Sequence, residues 1–117
     1  MSTSDDKART RIAAVKRRIA AIDLVASGTL LERTKVCGQP TCRCASDANA
    51  RHGPYYEWNR RLQGRLHHRA VASEEARVIR RAMHDYQRLL ALLEDWEHES
   101  ARIILGADRL TPRNRER

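Results

Sequence analysis

Residues 29–72, TLLERTKVCGQPTCRCASDANARHGPYYEWNRRLQGRLHHRAVA, decide the fold. On both sides of this stretch apolar residues recur with a helical period, and inside it that period is gone. Gly38, Pro40, Gly53, Pro54 and Gly64 punctuate it, so it reads as turn-rich. Three runs between them have strand character: Thr29–Val36, Tyr55–Arg60 and Arg65–Val71. Arg61 to Gly64 reads as the hairpin turn joining the second run to the third. The expected object is a small three-stranded antiparallel sheet with a cysteine-bearing loop between its first two strands.

Working outward, Ile12, Val15, Ile19 and Ile22 follow one another at spacings of three or four, and Ala26 continues the stripe. This predicts a helix from Ser4 to about Ala26. Ser4 would cap it, Asp5 and Asp6 suit its positive end, and Gly28 would stop it. Lys16, Arg17 and Arg18 lie mostly off the stripe. Beyond the sheet, Ser73 is a candidate N-cap with Glu74 and Glu75 in the first turn. Ile79, Met83, Tyr86, Leu90, Leu93 and Glu97 follow heptad-like spacing, and Leu89, Leu92, Trp96 and Ile103 widen that face. A helix from Ser73 to Leu105 would run roughly 45–50 Å, with Gly106 ending it.

The predicted class is α+β. An amphipathic helix occupies residues 1–27, a metal-stapled sheet module 28–72, and a longer helix 73–106, with a basic tail at 107–117. All belong to one folded domain, and the two helices pack as a hairpin. The second helix is the longer, so its apolar face overhangs, which suggests a homodimer. A helix simply packed on its own sheet is the competing reading.

Composition bounds the function. The chain has 117 residues and a mass of 13.5 kDa. Its five aromatic residues include no Phe, too few for a thick sandwich or barrel core. A chain this small buries a limited core and benefits from a staple. No apolar run approaches the ~18 residues of a membrane span, so no membrane role is expected. The segment from Met1 to Ala14 has no apolar signal-peptide core. Three crowded cysteines make a poor disulfide framework. The expected setting is therefore cytoplasmic, with reduced thiols.

The net charge is +8, and twenty of the 23 basic residues are Arg. Residues 1–32 carry +2, residues 33–72 carry +6, and residues 73–117 balance to zero. A GC-rich genome, which favours Arg over Lys, is the competing reading, but the surplus sits in the middle third. Arg grips phosphate with a planar fork, so a basic face points to nucleic acid.

Cys37, Cys42 and Cys44 stand within eight residues, and His52 follows after a gap of seven. Zinc takes four thiolate or imidazole ligands in a tetrahedron. The three thiolates are the core of the predicted Zn2+ site, and Gly38 and Pro40 allow the turn that brings them together. His52 is the natural fourth ligand, and His67 or His68 are its substitutes. An iron–sulfur cluster usually takes four Cys. Free, redox-sensing thiols are the remaining alternative.

The pattern Cys-Gly-x-Pro-x-Cys-x-Cys, a short polar gap, then His-Gly-Pro-Tyr-Tyr resembles an uncharacterised family of small prokaryotic proteins. Cys37, Gly38, Pro40, Cys42, Cys44, His52, Gly53, Pro54, Tyr55 and Tyr56 carry the resemblance. Gln39 stands where that family commonly has Lys or Arg, and Thr41 where it commonly has Asn. Neither change touches a presumed ligand. The resemblance covers residues 28–72 closely and the flanks only by pattern. It implies a metal-stapled module between two helices and a link to mobile elements, because such genes often neighbour transposases. It implies no activity.

The candidate nucleic-acid contacts are Arg51, Tyr55, Tyr56, Arg60, Arg61, Arg65, His67 and Arg69. Rings stack on bases and Arg forks take phosphates. In a strand, alternate residues share a face. Tyr56, Trp58 and Arg60 would lie together, as would Arg65, His67 and Arg69. The competing reading makes Tyr56 and Trp58 core. Arg77, Arg80 and Arg81 form a second basic cluster, partly cancelled by Glu74 and Glu75.

No enzyme is expected: there is no Gly-rich phosphate loop and no Gly-x-Ser-x-Gly elbow. Glu94, Asp95, Glu97 and Glu99 read as a solvated helix face. The leading expectation is a non-enzymatic nucleic-acid-binding accessory protein, with DNA favoured over RNA. It would belong to a transposition or recombination complex and partner a larger transposase or recombinase. The alternatives are a protein–protein adaptor dimerising through its long helices, and a metal or thiol redox sensor.

Overall fold

The computed structural model describes residues 3–106; the basic tail read at 107–117 lies outside the described residues. The element order is α1 (Thr3–Ala20), β1 (Thr29–Lys35), β2 (His52–Leu62), β3 (Arg65–Val71) and α2 (Ser73–Leu105). Two helices with a three-stranded antiparallel sheet between them make an α+β chain, with strand order β1-β2-β3. Two single-turn helices, Arg43–Ala45 and Ala48–Ala50, lie in the long β1–β2 loop. Among the described residues no helix is long and apolar enough to cross a membrane.

The predicted first helix is too long: α1 stops at Ala20 rather than near Ala26. Its end tightens, with Ala21 N–H donating to Arg17 and Arg18 and Ile22 N–H to Ile19. Ile22 and Val25 are β-branched and weaken a helix there. Ala26 is claimed instead by α2: its N–H donates to the Ala82 carbonyl at 3.2 Å. A period of three to four was present to Ala26, but tertiary pairing overrode it.

Contacts divide the chain into two compact units. One comprises residues up to Leu24 together with those from Asp85 onward; the other is Val25–His84. In the first, Ala8, Val15 and Leu92 are buried. Arg11 pairs with Glu99 at 3.5 Å, and Lys16 sits 5.3 Å above the Trp96 ring. In the second, Ala26, Ile79 and Ala82 form the buried cluster, and Leu30, Trp58, Val71 and Met83 pack against it.

α2 keeps the bounds its periodicity predicts, but its inner face is turned by about one residue. Leu92 is buried and Leu89, Trp96 and Ile103 are half-buried, while Leu90, Leu93 and Glu97 are exposed. The helix start also differs from its expected cap. Ser73 is the first helical residue, Glu75 accepts from Ala72 N–H at 2.8 Å, and Ala76 N–H closes on the Ala72 carbonyl. Glu75 thus supplies the backward half of a capping box without a Ser cap.

The sheet is tightly registered. β1 lies on β2 from Thr29↔Asn59 to Lys35↔His52, with an irregularity between Arg33 and Lys35. β2 lies on β3 from Tyr56↔Val71 to Leu62↔Arg65. Both strands of the first pairing differ from their predicted bounds: β1 ends at Lys35, and β2 runs from His52 to Leu62. The turn between β2 and β3 is therefore only Gln63-Gly64, with φ of 52° and 80°. Two successive positive φ values define the type I′ turn, whose twist matches paired strands. Gly takes the second position without strain, and Gln63 takes the first at some cost.

Candidate metal centre and basic hairpin

The cysteine loop is built in short local steps. Cys42 N–H donates to the Gln39 carbonyl at 3.1 Å, closing a turn with Pro40 in its second position, where its fixed φ is favoured. Ala45 N–H then donates to Cys42, and Ser46 and Asp47 N–H donate to Arg43. Asp47 turns back to accept from Asn49 N–H at 2.9 Å and from the Arg43 guanidinium at 3.0 Å. This brace holds the segment carrying Cys44.

The far side of the site comes from β2. His52 is its first residue and pairs with Lys35 at the end of β1, so the strand pairing brings both ends of the loop together. Gly53 follows with φ +125°, and a Cβ there would meet the Arg33 carbonyl oxygen at 2.9 Å and Tyr55 N at 3.0 Å. Only glycine fits both the conformation and the space. The Gly53–Pro54 bond is cis.

These pieces converge. Cys37 Sγ lies 3.5 Å from Cys44 Sγ, and Cys42 Sγ lies 3.3 Å from His52 Nε2. The ligand atoms of Cys37, Cys42, Cys44 and His52 all lie within 4.8 Å of one another. Tetrahedral zinc with sulfur at ~2.3 Å and nitrogen at ~2.0 Å has ligand–ligand edges of roughly 3.5–3.8 Å. The two shortest edges already match that cage, and the widest spacing would draw in by up to about 1 Å to close on an ion. All three thiols are free of disulfides. His67 and His68, the substitutes for His52, lie on β3 and are not in the cluster.

The thiols also feel one another. The Cys44 backbone N–H, then the Cys44 and Cys37 thiols, hydrogen-bond the Cys42 sulfur and hold its pKa below the ordinary value. The Cys37 N–H, 3.4 Å from Cys44 Sγ, favours the Cys44 thiolate. Burial and the neighbouring Cys42 and Cys37 sulfurs outweigh it, so the Cys44 thiol is raised. Amide N–H groups aimed at sulfur are the usual second layer around a metal thiolate. Sequence reasoning missed these amides and the Arg43–Asp47 brace, although the brace's spacing of four residues is its own signal.

The structure does not gather the predicted nucleic-acid residues on one face. Register and strand alternation put Tyr56, Arg60, Arg65, His67 and Arg69 on the face that also carries Leu30, Trp58 and Val71. Arg61 and Tyr55 belong to the opposite face, and Arg51 is in the loop before β2. The sequence reading left Tyr56 and Trp58 as either contacts or core; in the structure the basic stripe continues the core face past its packed part.

Tyr56 and Trp58 are half-buried and already engaged. The Trp58 indole donates to the Ser27 carbonyl at 2.8 Å, and Arg60 lies 4.4 Å from its ring centre. Tyr56 hydrogen-bonds Glu32, its cross-strand partner, which raises the phenol pKa. Burial adds to that shift; Arg80, 5.4 Å above the ring and 4.0 Å from Glu32, opposes it. Tyr55 is exposed, with Lys35 over its ring at 4.7 Å.

The fold and site describe a small α+β module with a candidate metal centre at one end of its sheet. The chain belongs to the family described as Domain of unknown function (DUF6788), whose model matches residues 5–81. That span covers most of α1, the sheet, the cluster and the start of α2. No curated protein and no solved structure matches the chain.

Proposed function

We propose that this chain is a non-enzymatic nucleic-acid-binding module whose sheet is held by one structural zinc ion. Cys37, Cys42, Cys44 and His52 would be the ligands, leaving no open position for catalysis. The observation that carries the reading is the layout of β2. Its first residue, His52, belongs to the metal cluster, and Arg60 and Arg61 lie at its other end. The ion would fix the strand that displays the cations, about 26 Å away along an extended chain.

Charge supports the same reading. Residues 33–72 hold six of the eight net positive charges. Between Glu57 and Glu74 there is no acidic residue but four Arg and two His. α1 and the later part of α2 would form a helical hairpin; the Arg11–Glu99 and Lys16–Trp96 contacts advance in opposite sequence directions, as an antiparallel pair requires. Service to a transposase or recombinase rests on the family resemblance alone.

The test is fluorescence anisotropy with a random-sequence DNA duplex and a single-stranded RNA, at low and near-physiological salt, using zinc-loaded and chelator-stripped protein. Binding should fall steeply with salt and be lost on stripping. Salt-insensitive binding, or binding unchanged by stripping, contradicts the proposal.

A second reading is favoured by one observation. Leu90, Leu93 and Ile104 are exposed on α2, Ile104 at 76%, and their spacing leaves them within one narrow stripe. A protein contact there would make the chain an adaptor or homodimer. The Leu89, Trp96 and Ile103 side chains expected in that stripe are half-buried instead. Light scattering of the zinc-loaded protein separates monomer from dimer.

A further inference from the structure

The basic hairpin has two faces, and both carry cations. β1 stops pairing with β2 at Thr29↔Asn59, whereas β2 and β3 remain paired out to Leu62↔Arg65. Among the described residues no third strand runs beside residues 60–67, a two-stranded ribbon closed by the Gln63-Gly64 turn, although Gly28 still lies against Arg60 at its base. On one face Arg60 pairs with His67 and Leu62 with Arg65; on the other Arg61 pairs with Leu66. Arg61, Arg65 and His67 are exposed, and so are the two leucines, Leu62 at 41% and Leu66 at 51%.

A flat contact with phosphate would use cations on one face only. Cations on opposite faces of a narrow ribbon suit a trough with phosphate on both walls. The major groove of B-form DNA is ~12 Å wide and admits a two-stranded ribbon, whereas the A-form RNA major groove is deep and narrow. A sheet layer with its side chains is ~10 Å thick, the distance at which sheets stack face to face, so a ribbon presenting one face to each wall fits that width.

Building on the nucleic-acid reading above, we infer that the β2–β3 ribbon, residues 60–67, inserts into the major groove of duplex DNA, with Arg61 facing one phosphate wall and Arg65 the other.

The experiment compares zinc-loaded wild type, Arg61→Ala, Arg65→Ala and the double variant on a DNA duplex and on an RNA duplex of the same sequence, across a salt series. Each single substitution should weaken DNA binding and lower the log–log salt slope by ~0.9, and the double variant by about twice that. Arg61→Lys should retain the slope, which separates charge from the hydrogen bond Arg61 donates to the Gly64 carbonyl at 3.4 Å. The DNA duplex should bind more tightly than the RNA duplex. If Arg65→Ala weakens binding and Arg61→Ala leaves affinity and slope unchanged, the contact is one-sided and this inference falls while nucleic-acid binding stands. Equal affinity for the two duplexes also overturns it. If wild type binds no nucleic acid with a salt dependence, the parent reading falls and takes this one with it.

Discussion

Cys42 Sγ and His52 Nε2 lie 3.3 Å apart across ten residues of turn-rich chain. Nothing in the local conformation of either residue requires that approach. It follows from the Pro40 turn on one side and from Lys35↔His52 strand pairing on the other. Two independent pieces of backbone thus deliver a thiol and an imidazole to the same small volume, beside two further thiols.

Removal of the metal should release the loop but spare the helices. Trypsin cuts after Arg43 and Arg51, both exposed within the loop, once the backbone there opens. Cleavage at these two sites should accelerate several-fold on chelation and return to its former rate when zinc is restored. Helical circular dichroism should change little. Cys42→Ser should reproduce the chelated pattern; a loop equally resistant with and without metal contradicts a structural ion.

Gly53 should tolerate no side chain. With φ +125° and the Arg33 carbonyl oxygen 2.9 Å from a would-be Cβ, Gly53→Ala should cost about 1–3 kcal/mol. It should also lower metal content, because His52 is its neighbour. Thermal melts with zinc quantification check both; a stable variant with full zinc occupancy contradicts this.

Trp58 should matter more for its ring than for its N–H. Trp58→Phe keeps packing against the Ala26–Ile79–Ala82 cluster but loses the bond to Ser27, at about 0.5–1.5 kcal/mol. Trp58→Ala should cost about 3 kcal/mol or more. Chemical denaturation of both variants gives the ranking, and equal losses contradict it.

Alkaline pH should weaken the sheet through Tyr56. Its phenol is neutral and bonded to Glu32, so its folded pKa lies above the unfolded value of 10.0. The stabilisation is fully present below pH 10 and is lost as pH rises through the folded pKa. Arg80 opposes the shift and narrows that window. Tyr56→Phe should flatten the decline in melting temperature above pH 10, and an identical decline in both proteins contradicts the assignment.

Much of this molecule is legible in sequence because its signals are local. The turn residues separate three strands, and Ser73 to Leu105 is periodic throughout, so the sheet order and α2 follow directly. The Cys37–Cys42–Cys44–His52 cluster is legible for the same reason: its members fall within sixteen residues. What sequence misses is tertiary. Ala26 leaves the helical pattern because the Ala82 carbonyl accepts its N–H. Arg60 and Arg61 look like one basic pair, but the pleat sends them to opposite faces, and only the registers Arg60↔His67 and Arg61↔Leu66 reveal which. The bonds Tyr56 makes are hidden in sequence because Glu32 and Arg80, its partners, come from distant parts of the chain.

The most direct test of the metal centre is X-ray absorption at the zinc edge on the zinc-loaded chain, with the metal counted per molecule. One zinc per chain with three sulfurs near ~2.3 Å and one nitrogen near ~2.0 Å is the predicted result, and His52→Ala should replace the nitrogen with a more weakly held oxygen or empty the site. No stoichiometric zinc, or a first shell unaltered by His52→Ala, would contradict it.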